Sequence, residues 1–255
     1  PPTFKKISSI KITELYKTSP FGTVSMFCTG FLHPVIFTMG AVYGALMNFS
    51  ILEISLYLSL ITIAGAIFQW PIGYLSDRFD RRLVMIVTAL LGSVFSFFCF
   101  FSVTVSPDFI NLSSDWKIIL QHITEHRLMF YIFISLYAGM CLPLFSLNLA
   151  YVNDFLPKEK FVSAGAGLQL IFGLSAMTAP FLCSFFIKEL GPNGFFIFLF
   201  IFQTIIGLFG IYRMFIRPTE ENPDNTFTPL PRNITPIGIQ LDPDTGVDLS
   251  STEKK

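Results

Sequence analysis

The sequence predicts an all-α integral membrane protein with six transmembrane helices, and its composition gives the first reason. Of its 255 residues, 52% are hydrophobic and only 13% are charged, whereas a soluble globular domain carries about 25% charged residues. The 31 phenylalanines exceed what one soluble core of this length could bury. The net charge of zero argues against a nucleic-acid partner, which would require a basic face.

Six apolar stretches give the second reason, because each has about the 20 residues that a helix needs to cross a bilayer. We number them spans one to six; they cover residues 21–46, 54–75, 83–104, 128–150, 161–187 and 195–216. None shows the strict alternation of a membrane β-barrel. Helices are therefore expected, since backbone groups in lipid must be satisfied within the segment itself.

Basic residues predict that both ends of the chain are cytoplasmic, because loops rich in Lys and Arg stay inside. With the amino end inside, the inner side holds Lys5, Lys6, Lys11, Lys17, Arg78, Arg81, Arg82, Lys158, Lys160, Arg213 and Arg217. The outer loops hold only Lys117, Arg127 and Lys188. We expect a multi-pass protein of the cell (inner) membrane.

The regions outside the spans suggest three domains. Residues 1–20 are expected to be a cytoplasmic linker, residues 21–217 the membrane bundle, and residues 218–255 a disordered cytoplasmic tail rich in proline and acids. The chain starts at Pro1 without a methionine or a signal peptide, so we expect a fragment that begins in a linker. Between spans three and four, residues 115–122 suggest a short helix at the membrane surface, with Trp116 at the interface.

The most specific motif joins spans two and three: Gly73-Tyr-Leu-Ser-Asp77-Arg78-Phe-Asp80-Arg81-Arg82. It resembles the loop signature of the major facilitator superfamily, with Asp80 in place of the usual glycine. Further similarity lies in residues 69–71, 148–160, 163–167, 172–176, 179–180 and 191–196, and it points to the YcaD-type subgroup. The resemblance covers about residues 16–212, which is most of the chain.

The resemblance implies a secondary transporter with two six-helix bundles and a solute site between them. This chain is similar to the carboxyl-terminal bundle, so an amino-terminal six-helix bundle is expected upstream. A small solute would cross by alternating access, with proton coupling left open and no cofactor required. The alternative is a self-contained six-helix membrane protein, a sensor or assembly partner, that dimerises.

The resemblance also implies a conformational latch at the loop. Asp77 would lie at a helix amino terminus of the opposite bundle, where a carboxylate is stabilised by the helix dipole. Gly73, Arg78, Arg81 and Arg82 share the loop with it, and Asp154 lies on the same side, where one of the three arginines could pair with it. The other interpretation is that these arginines only fix topology.

Span one suggests a transport pathway through His33, the ionisable residue near a membrane midplane. Such a group is costly in a membrane and suggests a function, and histidine could carry a coupling proton. Helical spacing places Thr29 on the same side, and Asn148 and Gln169 complete the candidates. Each of these residues could instead make an ordinary hydrogen bond between helices.

The remaining helix faces carry weaker signals. Span two has a small and polar face suited to close packing or to a cavity wall, formed by Ser55, Ser59, Thr62, Ala66, Gln69 and Gly73. Phenylalanines crowd spans three and six (residues 95–101 and 195–202), which predicts that both spans face lipid. Pro34, Pro143 and Pro180 are expected to interrupt spans one, four and five.

An enzymatic function is not expected. His122, Glu125 and His126 match the H-x-x-E-H zinc-protease pattern, but a catalytic zinc needs a third protein ligand and His33 lies near mid-membrane. The match is attributed to chance. The sequence has neither a G-x-S-x-G elbow nor a Walker loop, and Cys28, Cys99, Cys141 and Cys183 are expected to be buried thiols without a metal.

Overall fold

A computed structural model describes residues 12–104 and 127–216 of the chain. Helix α1 is Ile12–Thr18 and α2 is Pro20–Leu46, followed by α3 (Ile51–Arg78) and α4 (Arg81–Thr104). The second described range holds α5 (Leu128–Cys141), α6 (Leu144–Asn153), a 3-10 turn (Lys158–Lys160), α7 (Phe161–Leu190) and α8 (Gly194–Ile216).

The predicted fold class is confirmed, because six helical segments of the described chain are long and apolar enough to cross a membrane. Span one is α2, span two α3, span three α4, span four α5 with α6, span five α7 and span six α8. The predicted ends lie within three residues of the observed ones. Span two extends furthest beyond its prediction: the helix begins at Ile51, after a capping box formed by Ser50 and Glu53, and it continues through the polar residues Ser76, Asp77 and Arg78.

Of the three prolines that were expected to interrupt a span, only Pro143 does so. Helix α5 ends at Cys141 and α6 begins at Leu144 on either side of it. Pro34 and Pro180 lie inside continuous helices, so the predicted interruptions of spans one and five are wrong. A proline inside a membrane helix is tolerated where neighbouring groups satisfy the freed carbonyl.

Glycines allow the spans to approach closely at their crossings. A Cβ atom on Gly30 of span one would lie 2.5 Å from the backbone oxygen of Phe172 in span five, and would also meet the Ser175 hydroxyl. At the crossing of spans three and six, Gly207 contacts Leu90. Small residues of this kind drive helix association in lipid, where the hydrophobic effect between helices is absent.

Spans two and five are the least covered helices of the bundle. In their apolar windows 28% and 22% of the residues are buried, against 50–56% in the other four spans. The small and polar face of span two points away from the bundle, since Ser55, Ser59, Thr62, Ala66 and Gln69 are all exposed. This face is therefore largely open in the described chain, although Gln69 donates a hydrogen bond to Ser146 of span four.

The prediction that spans three and six face lipid is wrong for span six. Phe195, Phe196 and Phe198 are fully buried there. Phe195 stacks on Tyr43 of span one with ring centroids 5.3 Å apart, and Phe196 meets the same ring edge-on at 4.9 Å. In span three, by contrast, the outward positions include Phe97, Phe98 and Phe101, each more than two fifths exposed.

Part of the predicted linker is a helix that packs on the bundle. In α1, Leu15 is 1% exposed and joins a small core with Val152 of span four and Leu168 of span five. Glu14 forms an ion pair with Lys160 at 2.9 Å. Residues 1–11, the predicted surface helix with Trp116, the motif at His122–His126 and the predicted tail at 218–255 lie outside the described residues.

Two glycine-to-alanine variants test the close crossing of spans one and five. We expect Gly30→Ala to lower the free energy of unfolding by about 1–3 kcal/mol, because overpacking at a backbone contact cannot relax easily. Gly173→Ala is the matched control, since no atom lies within 4 Å of a Cβ there. The control should leave stability unchanged or raise it slightly, because alanine favours helix more than glycine does. Thermal unfolding in detergent measures both, and equal effects would contradict the crossing.

Candidate functional site

Arg81 is the centre of a charged cluster at the loop between spans two and three. Its Nη1 donates to both carboxylate oxygens of Asp154, at 2.8 and 2.9 Å. Its Nη2 donates to Asp77 at 3.1 Å, and its Nε donates to the Ser76 hydroxyl at 3.0 Å. One guanidinium thus joins the end of span two, the start of span three and the end of span four. We call Ser76, Asp77, Arg81 and Asp154 the loop cluster, and this end of the bundle the loop end.

The three candidate arginines have different environments. Arg81 makes the pair with Asp154, whereas Arg82 is 5% exposed and donates from Nε to the Tyr151 hydroxyl at 3.1 Å. Arg78 is exposed and lies over the ring of Tyr74, 4.3 Å from its centroid. Arg82 therefore contacts the bundle interior, while Arg78 remains at the surface for a partner or for the membrane interface.

The two acids of the loop cluster also differ. Partial burial raises the pKa of Asp154, and the Arg81 guanidinium opposes this effect. The side chain of Asp77 is 45% exposed and forms an ion pair with Arg81. Asp77 lies at the carboxyl end of span two, where the helix dipole disfavours a negative charge. The dipole of its own helix therefore does not stabilise the Asp77 carboxylate. Because the side chain is partly exposed, a helix amino terminus outside this bundle can reach it.

Asp80, which replaces the glycine of the motif, caps span three. Its Oδ1 accepts a hydrogen bond from the backbone N–H of Arg82 at 2.8 Å, and its carbonyl accepts from Val84 at 3.1 Å. Aspartate is among the best residues at this position because the first backbone N–H groups of a helix have no partner within it. The departure from glycine thus has a structural role.

Gly73 faces away from the bundle, and no atom lies within 4 Å of a Cβ built on it. The described chain itself gives no steric reason for a glycine here. A helix from outside the described chain that packs closely on Gly73 would be one reason for a glycine at this position.

His33 is held by span four at the break in that helix. Its Nε2 lies 3.1 Å from the carbonyl oxygen of Cys141, the last residue of α5. Because a carbonyl only accepts, the proton must be on Nε2, and in a neutral ring Nδ1 is then an acceptor. The rings of Phe145 and Phe172 lie against the imidazole, with centroids 6.3 and 5.9 Å away. His33 is therefore partly buried beneath two aromatic side chains.

The other three pathway candidates lie in two separate places. Asn148 is fully buried and donates from Nδ2 to the Thr29 hydroxyl at 3.0 Å, so both residues join spans one and four. Gln169 is exposed on the uncovered face of span five. Gln69 of span two, also exposed, donates to Ser146 of span four at 3.2 Å. Of the candidates Thr29, Asn148 and Gln169, only Gln169 is exposed and therefore open to a solute.

An ion pair at the opposite end of the bundle was not among the predicted site residues. Arg127 donates from Nη1 to Glu53 at 2.7 Å, and their side chains are 13% and 3% exposed. The Arg127 guanidinium also lies 4.2 Å from the centroid of Phe49. Glu53 belongs to a capping box with Ser50 at the start of span two. The S-x-x-E pattern formed by Ser50 and Glu53 indicates the cap in the sequence. No sequence pattern indicates that Arg127, at the start of span four, pairs with Glu53.

Comparisons with known proteins agree with the motif of the loop. The family model described as Major Facilitator Superfamily matches residues 15–244. The uncharacterized MFS-type transporter YfkF of Bacillus subtilis (strain 168) is 26% identical over 171 residues, which are 66% of this chain and 38% of the relative. The match thus spans less than two fifths of that relative. No solved structure matches the chain.

The cap at Asp80 can be tested by three substitutions. We expect Asp80→Ala to lower the free energy of unfolding by about 0.5–2 kcal/mol, because the Arg82 N–H loses its acceptor. Asp80→Gly should cost a few tenths of a kcal/mol, and Asp80→Asn should be closest to the native chain. Thermal unfolding in detergent ranks the variants. Equal losses for alanine and asparagine would show that the cap contributes nothing.

The buried ion pair gives a prediction with an internal control. Glu53→Gln leaves Arg127 buried without its counter-charge, so we expect a loss of about 3–5 kcal/mol in the free energy of unfolding. Arg127→Gln should cost a similar amount, and the double variant much less than the sum. Lys160→Gln breaks the exposed pair with Glu14 and should cost at most about 1 kcal/mol. Additive effects of the two substitutions in the buried pair would contradict the interpretation.

Proposed function

Because this chain belongs to the major facilitator superfamily, whose members move solutes across membranes, we propose that it forms the carboxyl-terminal bundle of a two-bundle carrier. The carrier transports a small solute by alternating access. The YcaD-type subgroup remains part of this proposal. Carriers of this kind work by one bundle rocking against the other around a midplane site.

The uncovered faces of spans two and five are the observation that carries the proposal. They are the least buried helices of the described bundle, and span two presents small and polar side chains outward. Small residues suit close approach by another helix, and polar ones suit a water-filled cavity. The coverage of 38% of the curated relative supports the same view. In this proposal the amino-terminal bundle packs against these two faces.

The proposed solute path runs along the polar groups that face outward. Gln69 with Ser146 and, on span five, Gln169 line this surface, and His33 lies behind Phe145 and Phe172. Thr29 and Asn148 act by fixing span one against span four. Since His33 is the ionisable group deep in the described part of the membrane bundle, the proposal favours a solute without high charge. Proton coupling through His33 is an extension of the proposal.

The loop cluster has a second role in the proposed carrier. Asp77 is half exposed and has no stabilising helix end within its own span, which suits a contact with a helix amino terminus of the other bundle. Arg81 holds Asp77 in place and connects the contact to Asp154 on span four. The basic loop end is proposed to face the cytoplasm at the inner membrane, with both ends of the chain on that side.

The first experiment sequences the coding DNA upstream of Pro1 and expresses the complete protein. Six more spans with a second Gly-x-Leu-x-Asp-Arg loop are expected. A cysteine at Ala66 should then cross-link to the upstream bundle and not to a second copy of the chain. A cross-link between two copies, with no spans encoded upstream, would favour the six-helix protein that dimerises.

In the complete protein, Asp77→Asn tests the latch. We expect the balance between the two orientations of the carrier to shift by about two- to thirtyfold, because a carboxylate at a helix amino end contributes about 0.3–2 kcal/mol. Glu14→Gln, which removes an exposed carboxylate at the loop end, is the control and should leave the balance unchanged. Labelling of a single cysteine by an impermeant thiol reagent from each side measures the balance. An unchanged balance for Asp77→Asn would reject the latch.

A further inference from the structure

A stripe of exposed side chains runs along the outside of span two and ends at the loop end. It consists of Ile63, Ile67, Trp70, Tyr74 and Arg78, which are spaced three or four residues apart and therefore share one side of the helix. Ile63, Ile67 and Trp70 are 54%, 62% and 78% exposed, and Tyr74 is 45% exposed. We call these five residues the outer stripe.

The outer stripe is separate from the small and polar face of span two, which the proposed function assigns to a second bundle. Four members of the stripe each follow a member of that face by one position. The four pairs are Thr62–Ile63, Ala66–Ile67, Gln69–Trp70 and Gly73–Tyr74. One position turns an α-helix by about 100°. The polar face and the outer stripe therefore point in different directions, and a bundle that covers the first leaves the second open.

The chemistry of the stripe changes along the helix in the order that a bilayer favours. The isoleucines lie nearest to the middle of the span, the aromatic side chains follow, and Arg78 is the last residue of the helix. With the middle of span two at the bilayer midplane, Tyr74 lies about 14 Å and Arg78 about 20 Å from it along the axis. The hydrocarbon core ends about 15 Å from the midplane, and the headgroups extend to about 20–22 Å. Arg78 thus reaches the level of the lipid phosphates, below which aromatic side chains are enriched.

The last three side chains of the stripe contact one another. The rings of Trp70 and Tyr74 are stacked, with centroids 6.1 Å apart and 19° between their planes. The Arg78 guanidinium lies over the Tyr74 ring, 4.3 Å from its centroid. A cation in this position is attracted by the ring quadrupole. The contact therefore keeps the guanidinium on the outer stripe and away from the loop cluster.

The charge of Arg78 is not neutralised by an acid in the described part of the chain. Arg81 forms the ion pairs of the loop cluster, and Arg82 is buried. Among the described residues, the side chain of Arg78 forms neither an ion pair nor a hydrogen bond, and its contact is with Tyr74. The N–H donors of a guanidinium form a rigid fork that matches phosphate oxygens. Those of Arg78 are open to such a partner.

We propose that the outer stripe binds one anionic phospholipid at the loop end. An acyl chain lies along Ile63 and Ile67, the rings of Trp70 and Tyr74 pack where the chain meets the headgroup, and Arg78 donates to the phosphate. Charge complementarity favours an anionic lipid, because a zwitterionic headgroup carries a cation that the guanidinium repels. The proposal requires only that the chain spans a membrane, so it is independent of transport.

Native mass spectrometry of the chain in detergent measures the bound lipid. We expect phosphatidylglycerol to bind about fivefold more tightly than phosphatidylcholine with the same acyl chains, since one arginine near an anionic headgroup contributes about that factor. Arg78→Gln should make the two affinities equal. Lys17→Gln removes an exposed cation of the loop end outside the stripe; it is the matched control and should keep the preference.

Three results of this measurement would overturn the proposal. The first is equal affinity of the native chain for the two lipids, and the second is an unchanged preference in Arg78→Gln. The third is an equal loss of preference in Arg78→Gln and Lys17→Gln, which would show that the general charge of the loop end attracts the lipid.

Fluorescence quenching tests whether lipid or protein covers the stripe. In the complete protein, with every other tryptophan replaced by phenylalanine, Trp70 should lose most of its fluorescence in bilayers with brominated acyl chains. The matched control combines Gln69→Trp with Trp70→Phe, which moves the tryptophan to the polar face, where the proposed second bundle shields it. Absence of quenching at Trp70 would show that a second bundle or a second copy of the chain covers the stripe, and the proposal would fail. Equal quenching at both positions would support the lipid site and contradict only the second bundle.

Discussion

A bilayer offers no hydrogen-bond partners to backbone or side chains in its hydrocarbon core, and the rest of this structure depends on that constraint. It makes each crossing segment a helix, and it makes polar groups within the spans seek partners inside the protein. His33 meets this requirement by binding the Cys141 carbonyl, where Pro143 ends α5. Asn148 and Thr29 meet it by binding each other across spans one and four. Each of these bonds also fixes a helix crossing.

The described charges gather at the two ends of the bundle, and each end has a different design. At the loop end, Arg81 joins spans two, three and four through partly exposed contacts that solvent can reach. At the far end, Glu53 and Arg127 join spans two and four through a buried pair beside Phe49. A buried pair is sensitive to the loss of either partner, whereas the open loop cluster can exchange partners. In the proposed carrier, the buried pair would keep the far end of the bundle in one arrangement. The loop cluster would change its partners as the carrier changes conformation.

The packing of the helices assigns separate roles to the spans. Residues of all six spans join the shared core, which is built from aromatic rings and closely approaching glycines. Spans two and five nevertheless keep most of their own surface open. The proposed contact with a second bundle and the proposed solute path both use that open surface.

The sequence by itself determined the six spans and their approximate ends, because hydrophobic length is a property of short segments. It also placed Asp77, Arg81 and Asp154 at one end of the bundle. Only the tertiary structure decided which arginine pairs with Asp154, that Glu53 pairs with Arg127, and that Phe195 and Phe196 are buried. The physical reason is that core and lipid are equally apolar. Hydropathy therefore identifies the segments that cross the membrane. It does not identify which side of a helix faces the core and which side faces lipid.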